Sequence, residues 1–232
     1  MACWAYYPGS GEEGSRPEPL GEHLVNVAMG VRAHKDFDRL VRKIAREYNL
    51  GTDLVSDFIT LAGGLHDIGK ALAKYQAEPA RGFSGHEVYS TLIIAHALYT
   101  TGIGYDTPIG RLLTYPVLLH HYAQRDDLGE AYNRVLREVG PRVQVWQDCI
   151  NDLGWALGNI RGLVTTDVSR RIIDTLVFNV TSGWLPVYVD RGLMGSLETV
   201  VDVRDWFGVM AVTGLLNEVD GEVAGNARGD GD

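Results

Sequence analysis

Leu65-His66-Asp67-Ile68-Gly69-Lys70 places an imidazole, a carboxylate and an ammonium directly behind an apolar helical segment. Leu54, Phe58, Leu61, Ala62 and Leu65 recur at helical spacing upstream, with Thr52 or Asp53 available as the cap. His and Asp where such a helix ends are costly to bury without a partner. A metal ion serves both. Lys70 lies three residues beyond Asp67 and four beyond His66, offsets that share one face of a helix. A cation there could hold a substrate phosphate or a leaving oxygen. Gly63, Gly64 and Gly69 let neighbouring backbone approach this corner.

Working outward, the other histidines fall at the ends of apolar helices. His86 follows Gly85 and opens a helix expected over 86–101. His120-His121 closes one expected over 109–122, in which Pro116 should kink the axis or mark the first turn. His23 lies in a first helix carrying Leu24, Val27, Ala28 and Val31. Imidazole with carboxylate suits Mn, Fe, Co, Ni or Zn, and carboxylate extends the range toward Mg. Asp67 has two oxygens and can bridge two ions, the arrangement that cleaves phosphate esters. His34, between Ala33 and Lys35-Asp36, reads as solvated, and His96 as a core or supporting histidine. Tyr6, Tyr7, Tyr115 and Tyr122 read as packing.

The rest of the chain is mostly helical in pattern. Phe37, Leu40, Val41, Ile44 and Tyr48 mark a second helix, stopped at Asn49-Leu50-Gly51. Further helices are expected over 127–139, 142–157, 167–177 and 205–219. Gly9–Pro19 reads as loop, and 71–85 as loop with a helical turn. Trp184–Asp190 is the one strand-like stretch, and Pro186 keeps it from being a central strand. Trp146, Trp155 and Trp184 read as core or partner surface, with core favoured. The fold class is therefore all-α, a helical bundle with room for one small β-hairpin. The expected organisation is an N-terminal loop segment over 1–20, one domain over 21–222 and a Gly- and Asp-rich tail over 223–232 that should fray.

Composition bounds the function. The 232 residues are 45% hydrophobic and 22% charged, which excludes disorder, collagen and coiled coil as whole-chain descriptions. Lys plus Arg number 21 against 30 Asp plus Glu, a net charge of −9, which argues against gripping nucleic acid by bulk charge alone. Phosphate reached through bound metal remains open, because metal-holding carboxylates add to that negative count. The two cysteines, Cys3 and Cys149, make no CxxC spacing and are expected to form no disulfide framework. The chain shows no basic-then-apolar leader and no apolar run of about 20 residues. The expected location is cytoplasmic, with no membrane partner.

The order His23, His66-Asp67, His86, His120-His121 and a late Asp resembles the HD phosphohydrolase superfamily. In detail it resembles the HD nuclease of type I CRISPR interference systems. Leu20-Gly21-Glu22-His23 resembles the first-histidine motif, and Leu65–Lys70 the HD-x-GK core. Gly85-His86-Glu87-Val88-Tyr89-Ser90 resembles H-(S/E)-x-x-S, and Leu119-His120-His121-Tyr122 the paired-histidine motif. Leu215-Leu216-Asn217-Glu218-Val219-Asp220 resembles the closing L-L-x-D-A-D, with Glu218 where the family often has Asp.

The resemblance implies an HD-domain helical bundle holding two divalent ions, drawn from Mn, Mg, Ni, Co or Fe. One would be held by His23, His66, Asp67 and Asp220, the other by Asp67, His86, His120 and His121. Asp205 and Asp202 are the alternatives to Asp220. His66, Asp67 and Lys70 would serve catalysis. The implied activity is cleavage of single-stranded DNA in antiviral defence. The chain lacks a Walker motif, so a separate helicase subunit and a guide-RNA surveillance complex are the implied partners. The alternatives are an HD-type nucleotide or cyclic-dinucleotide phosphohydrolase and a non-catalytic assembly subunit.

Overall fold

The computed structural model describes residues 2–8, 15–121, 128–189 and 203–229. Among them ten α-helices and two short antiparallel strand pairs form an all-α bundle. The helices are α1 (Leu20–Ala33), α2 (Phe37–Tyr48), α3 (Thr52–Leu65), α4 (Ala73–Gln76), α5 (His86–Thr100), α6 (Pro108–Leu119), α7 (Leu128–Glu138), α8 (Gln147–Leu163), α9 (Asp167–Thr181) and α10 (Val203–Arg228). The strands are β1 (Trp4–Tyr6), β2 (Glu18–Pro19), β3 (Arg142–Gln144) and β4 (Trp184–Pro186), paired β1 with β2 and β3 with β4.

The bundle is built around α3. From Asp57 to Leu65 every residue of α3 is buried, so it is covered on all sides, chiefly by α1 and α6. A helix apolar all round belongs in a core. Gly63 allows a close approach: a Cβ there would lie 3.0 Å from Val31 Cγ2 and 3.4 Å from the Ala28 Cα. Asp57 is buried and accepts hydrogen bonds from the backbone N–H of Thr165 and Thr166, at 3.0 and 2.7 Å. Its carboxylate thus ties α3 to the start of α9. By contrast, α2 buries only Phe37, Val41, Ile44 and Ala45, and stops where Asn49 adopts the left-handed conformation. In α6, Pro108 sits in the first turn and Thr107 caps it, accepting from the Gly110 N–H at 3.1 Å.

Several expectations are corrected. Residues 142–144 form β3, and α8 starts at Gln147 rather than residue 142. Pairing with Trp184–Pro186 draws this segment out of the helix. Glu18–Pro19 is a strand rather than loop, and Gly9–Gly14 lie outside the described residues. The last helix runs on to Arg228, past the end expected at 219, because Val223 still packs on the core and Arg228 reaches Glu18. Pro116 lies inside α6, in its last turn. Trp155 is exposed, since the buried stripe of α8 runs through Cys149, Leu153, Ala156, Leu157 and Ile160, and Trp184 of β4 is exposed as well. Trp146 does pack on the core. Of the tyrosines, Tyr115 is buried, Tyr7 is exposed and Tyr122 lies outside the described residues.

Cys3 and Cys149 form a disulfide, where no disulfide framework was expected. It closes a sequence separation of 146 residues. Spacing alone cannot reveal such a pair; only the fold brings the residue before β1 against the first turn of α8.

A candidate two-ion centre at the end of the central helix

The HD segment leaves α3 and turns at once. His66 is the C-cap residue, Asp67 takes φ −107° and ψ 9°, and Ile68–Ala71 form a 3-10 turn. Three residues per turn bring Lys70 back over Asp67. Its Nζ lies 2.6 Å from Asp67 Oδ2. The side chains do share a face, as the spacing predicts. Lys70, however, is buried against the carboxylate rather than presented freely to a substrate.

This turn is clamped to the start of α5. A Cβ on Gly69 would collide with the His86 carbonyl oxygen and would lie 2.9 Å from the Ser90 nitrogen. The Gly69 N–H donates to Ser90 Oγ at 2.9 Å. The glycine and the serine thus set the distance between Asp67 and the helix that carries His86.

Five imidazoles and two carboxylates converge here. The Nδ1 atoms of His66, His86 and His120 lie 2.8, 2.7 and 2.6 Å from the carbonyl oxygens of Gly63, Phe83 and Val117. Each ring thus donates Nδ1–H three residues back along its own chain and turns Nε2 inward. His23 does the same with a side chain, its Nδ1 standing 2.7 Å from Glu18 Oε1. Fixing Nδ1–H in this way selects the tautomer whose Nε2 lone pair can ligate.

The inward atoms fall into two sets that share Asp67. His23 Nε2 lies 3.2 Å from His66 Nε2, 3.4 Å from Asp67 Oδ2 and 3.1 Å from Asp220 Oδ1. His66 Nε2 lies 3.4 Å from each of the same two carboxylate oxygens. In the second set, His86 Nε2 lies 2.7 Å and His120 Nε2 3.5 Å from Asp67 Oδ1. His121 completes this set, with all its ligand atoms within 4.8 Å of one another. Asp67 Oδ1, His86 Nε2 and His120 Nε2 are buried, yet none makes an aligned hydrogen bond. Buried polar atoms facing one another without an aligned hydrogen bond could hold a cation.

The electrostatics agree. Burial pushes the Asp67 carboxyl up, but His66, Lys70 and His86 outweigh it and hold the group well below the usual carboxylate range. Asp220 is likewise held low against burial by His66 and His23. His121 is driven down to about 2 by burial and by its neighbours His120 and His86, so it stays neutral and able to ligate. Burial also lowers His23, but Asp220, Asp67 and Glu18 overcome it and raise that imidazole well above its ordinary value. A proton on His23 and a metal ion are alternative answers to the same concentration of carboxylate charge.

Thus His23, His66, Asp67, Lys70, His86, His120, His121 and Asp220 are all brought together. Asp202 lies outside the described residues, as does the side chain of Asp205. His34, expected to be solvated, instead has its Nε2 3.3 Å from Glu218 Oε1. His96 faces a surface cleft between α5 and α9, away from the cluster. Sequence reasoning missed Glu18, which sits five residues before His23 in β2, outside helical periodicity. Ser90, legible only as a motif position, has its physical task in accepting from the Gly69 N–H.

A family model described as "Cas3, HD domain" matches residues 4–138. That span holds His23, the His66-Asp67 motif, His86 and the paired histidines, while Asp220 lies beyond it. No curated protein matches the sequence.

Proposed function

The chain belongs to the Cas3 HD-domain family, and on that footing we propose that it is a two-metal deoxyribonuclease. It cuts single-stranded DNA in CRISPR antiviral interference, in the cytoplasm, on strands delivered by a helicase and a guide-RNA complex. The observation that carries this reading is the pair of Nε2 sets meeting on the two oxygens of Asp67. The donor chemistry fits Mn, Fe, Co, Ni or Mg. No helix among the described residues is long and apolar enough to cross a membrane.

His23, His66, Asp67 and Asp220 would hold one ion, and Asp67, His86, His120 and His121 the other. When bound, such ions activate water and neutralise charge on the phosphoryl oxygens. The chain's own part is positioning. Asp67 would serve both ions and so set the separation of the two sites, and Lys70 holds the Asp67 carboxylate through Oδ2. The backbone carbonyls hold His66, His86 and His120 in the ligating tautomer, and Glu18 holds His23. Lys70 and His121 also face the cleft beside the cluster, where a scissile phosphate would lie.

The test loads metal-stripped protein with Mn, Mg, Ni, Co or Fe in turn, beside an Asp67→Ala control. Substrates are circular single-stranded DNA, duplex DNA and a panel of nucleotides. Metal-dependent cutting of the circle, absent in the control, is expected. Phosphate release from nucleotides with intact DNA would replace the reading with an HD-type nucleotide phosphohydrolase.

A further inference from the structure

A cleft of about 400 Å³ opens beside the proposed ion centre, with His86 and His121 in its inner wall. Its outer wall comes from three separate parts of the chain: Tyr6 of β1, the turn carrying Arg81 and Phe83, and Arg228 at the end of α10. No carboxylate lines it among the described residues, while three cations do, Lys70, Arg81 and Arg228. That is unusual for a chain of net charge −9. Larger clefts elsewhere contain Asp36 and Glu218, or Asp174.

The two arginines are built differently. Arg228 is held: its guanidinium stacks 4.1 Å from the Tyr6 ring centroid, and Nη2 lies 3.7 Å from the buried Glu18 Oε2. Its Nε is buried and makes no hydrogen bond. Such a guanidinium is fixed in direction and, at 29% exposure, still reaches the cleft. Arg81 is 80% exposed, with Nε 2.5 Å from Glu78, and reaches from the opposite side. Between them Phe83, half-buried, offers an apolar surface beside Lys70.

We propose that Arg228 and Arg81 are the strand-holding residues of this enzyme, binding backbone phosphates on either side of the one placed over the ions. The ligand class is a single-stranded phosphodiester chain, with Phe83 available for stacking. The positive walls concentrate an anionic strand locally although the whole protein repels it. The proposal rests on the nuclease reading. It places the strand-holding function partly on α10, beyond the residues that the family model matches.

The experiment uses full-length, metal-loaded protein and a fluorescein-labelled phosphorothioate oligothymidine strand, which keeps its charge and resists cutting. Affinity is read by anisotropy across a salt series for wild type, Arg81→Ala, Arg228→Ala and Arg228→Lys. Elemental analysis gives the metal content of each. For a single strand each phosphate contact contributes about 0.7 to the slope of log K against log salt. Each alanine variant should therefore flatten the slope by about 0.7 with metal content intact, and Arg228→Lys should keep it. Wild-type slopes in both alanine variants would overturn the proposal while leaving metal-dependent cleavage in place. Metal loss in Arg228→Ala, with Arg81→Ala unchanged, would also overturn it, reducing Arg228 to a support for Glu18 and His23. Absence of both strand binding and metal-dependent cutting in wild type would defeat the nuclease reading itself.

Discussion

Gly69→Ala tests whether the distance between the HD turn and α5 makes the site. The added Cβ meets the His86 carbonyl oxygen and stands 2.9 Å from the Ser90 nitrogen, where ordinary contact begins near 3.4 Å. Neither obstacle is a flexible side-chain end, so turn and helix must part, by on the order of 0.5–1 Å. Overpacking of this kind costs about 1–3 kcal/mol. Stretching the Gly69 N–H bond to Ser90 Oγ adds roughly 1 kcal/mol. The sum, about 2–4 kcal/mol, lowers the melting temperature by roughly 5–15 °C in a domain of this size. The same displacement separates Asp67 Oδ1 from His86 Nε2, now 2.7 Å apart. Metal bonds tolerate only about 0.2 Å of error, so the Asp67–His86–His120–His121 ion should be lost first. Thermal melts in chelator read the packing cost, and elemental analysis after dialysis reads the ions. Ser90→Ala removes the hydrogen bond alone and should cost about 1 kcal/mol with both ions retained. A Gly69→Ala protein that melts like wild type and holds its full metal complement would refute the reasoning.

Glu18→Gln should weaken metal binding at the His23–His66–Asp67–Asp220 set by about 10–100-fold, since a supporting carboxylate raises ligand basicity; competition with a chromophoric chelator measures it. Asp220→Ala should lower the stoichiometry by one ion, and a count unchanged by elemental analysis would remove Asp220 from the ligand set. Stripping metal from wild type should lower its melting temperature, because an ion at 100 times its Kd contributes about 2.7 kcal/mol; identical melts with and without chelator would contradict the ion centre. Cys149→Ser should cost about 2–5 kcal/mol in a denaturant titration under oxidising conditions, and equal midpoints would show that the Cys3 link adds nothing.

The helices were legible because their apolar periodicity is local, and the histidines were legible because they sit where those helices end. His86 and His120-His121 belong to segments whose apolar runs leave little doubt about which end faces the core. What stayed hidden was non-local. Glu18 acts from a strand of two residues, stabilised only by its partner β1. Arg228 lies in a Gly-rich stretch whose helix holds because it packs against distant chain, which propensity cannot see. The disulfide and the β3–β4 pair likewise join residues far apart in sequence. Lys70 shows the finer limit. Its spacing correctly placed it beside Asp67, but spacing does not say whether a lysine there turns to solvent or folds down onto the carboxylate.

His23 lies on the first helix and Asp220 on the last, and both close on one point. Under the proposed function, this topology also fixes a timetable. A growing chain on the ribosome carries α1, α3, α5 and α6 long before α10 exists, so the first ion site stays one carboxylate short until the final helix has emerged and docked. The Arg228 wall of the cleft arrives with that same helix. On that reading the centre is incomplete until α10 docks, and a product truncated ahead of α10 would lack both Asp220 and the Arg228 wall.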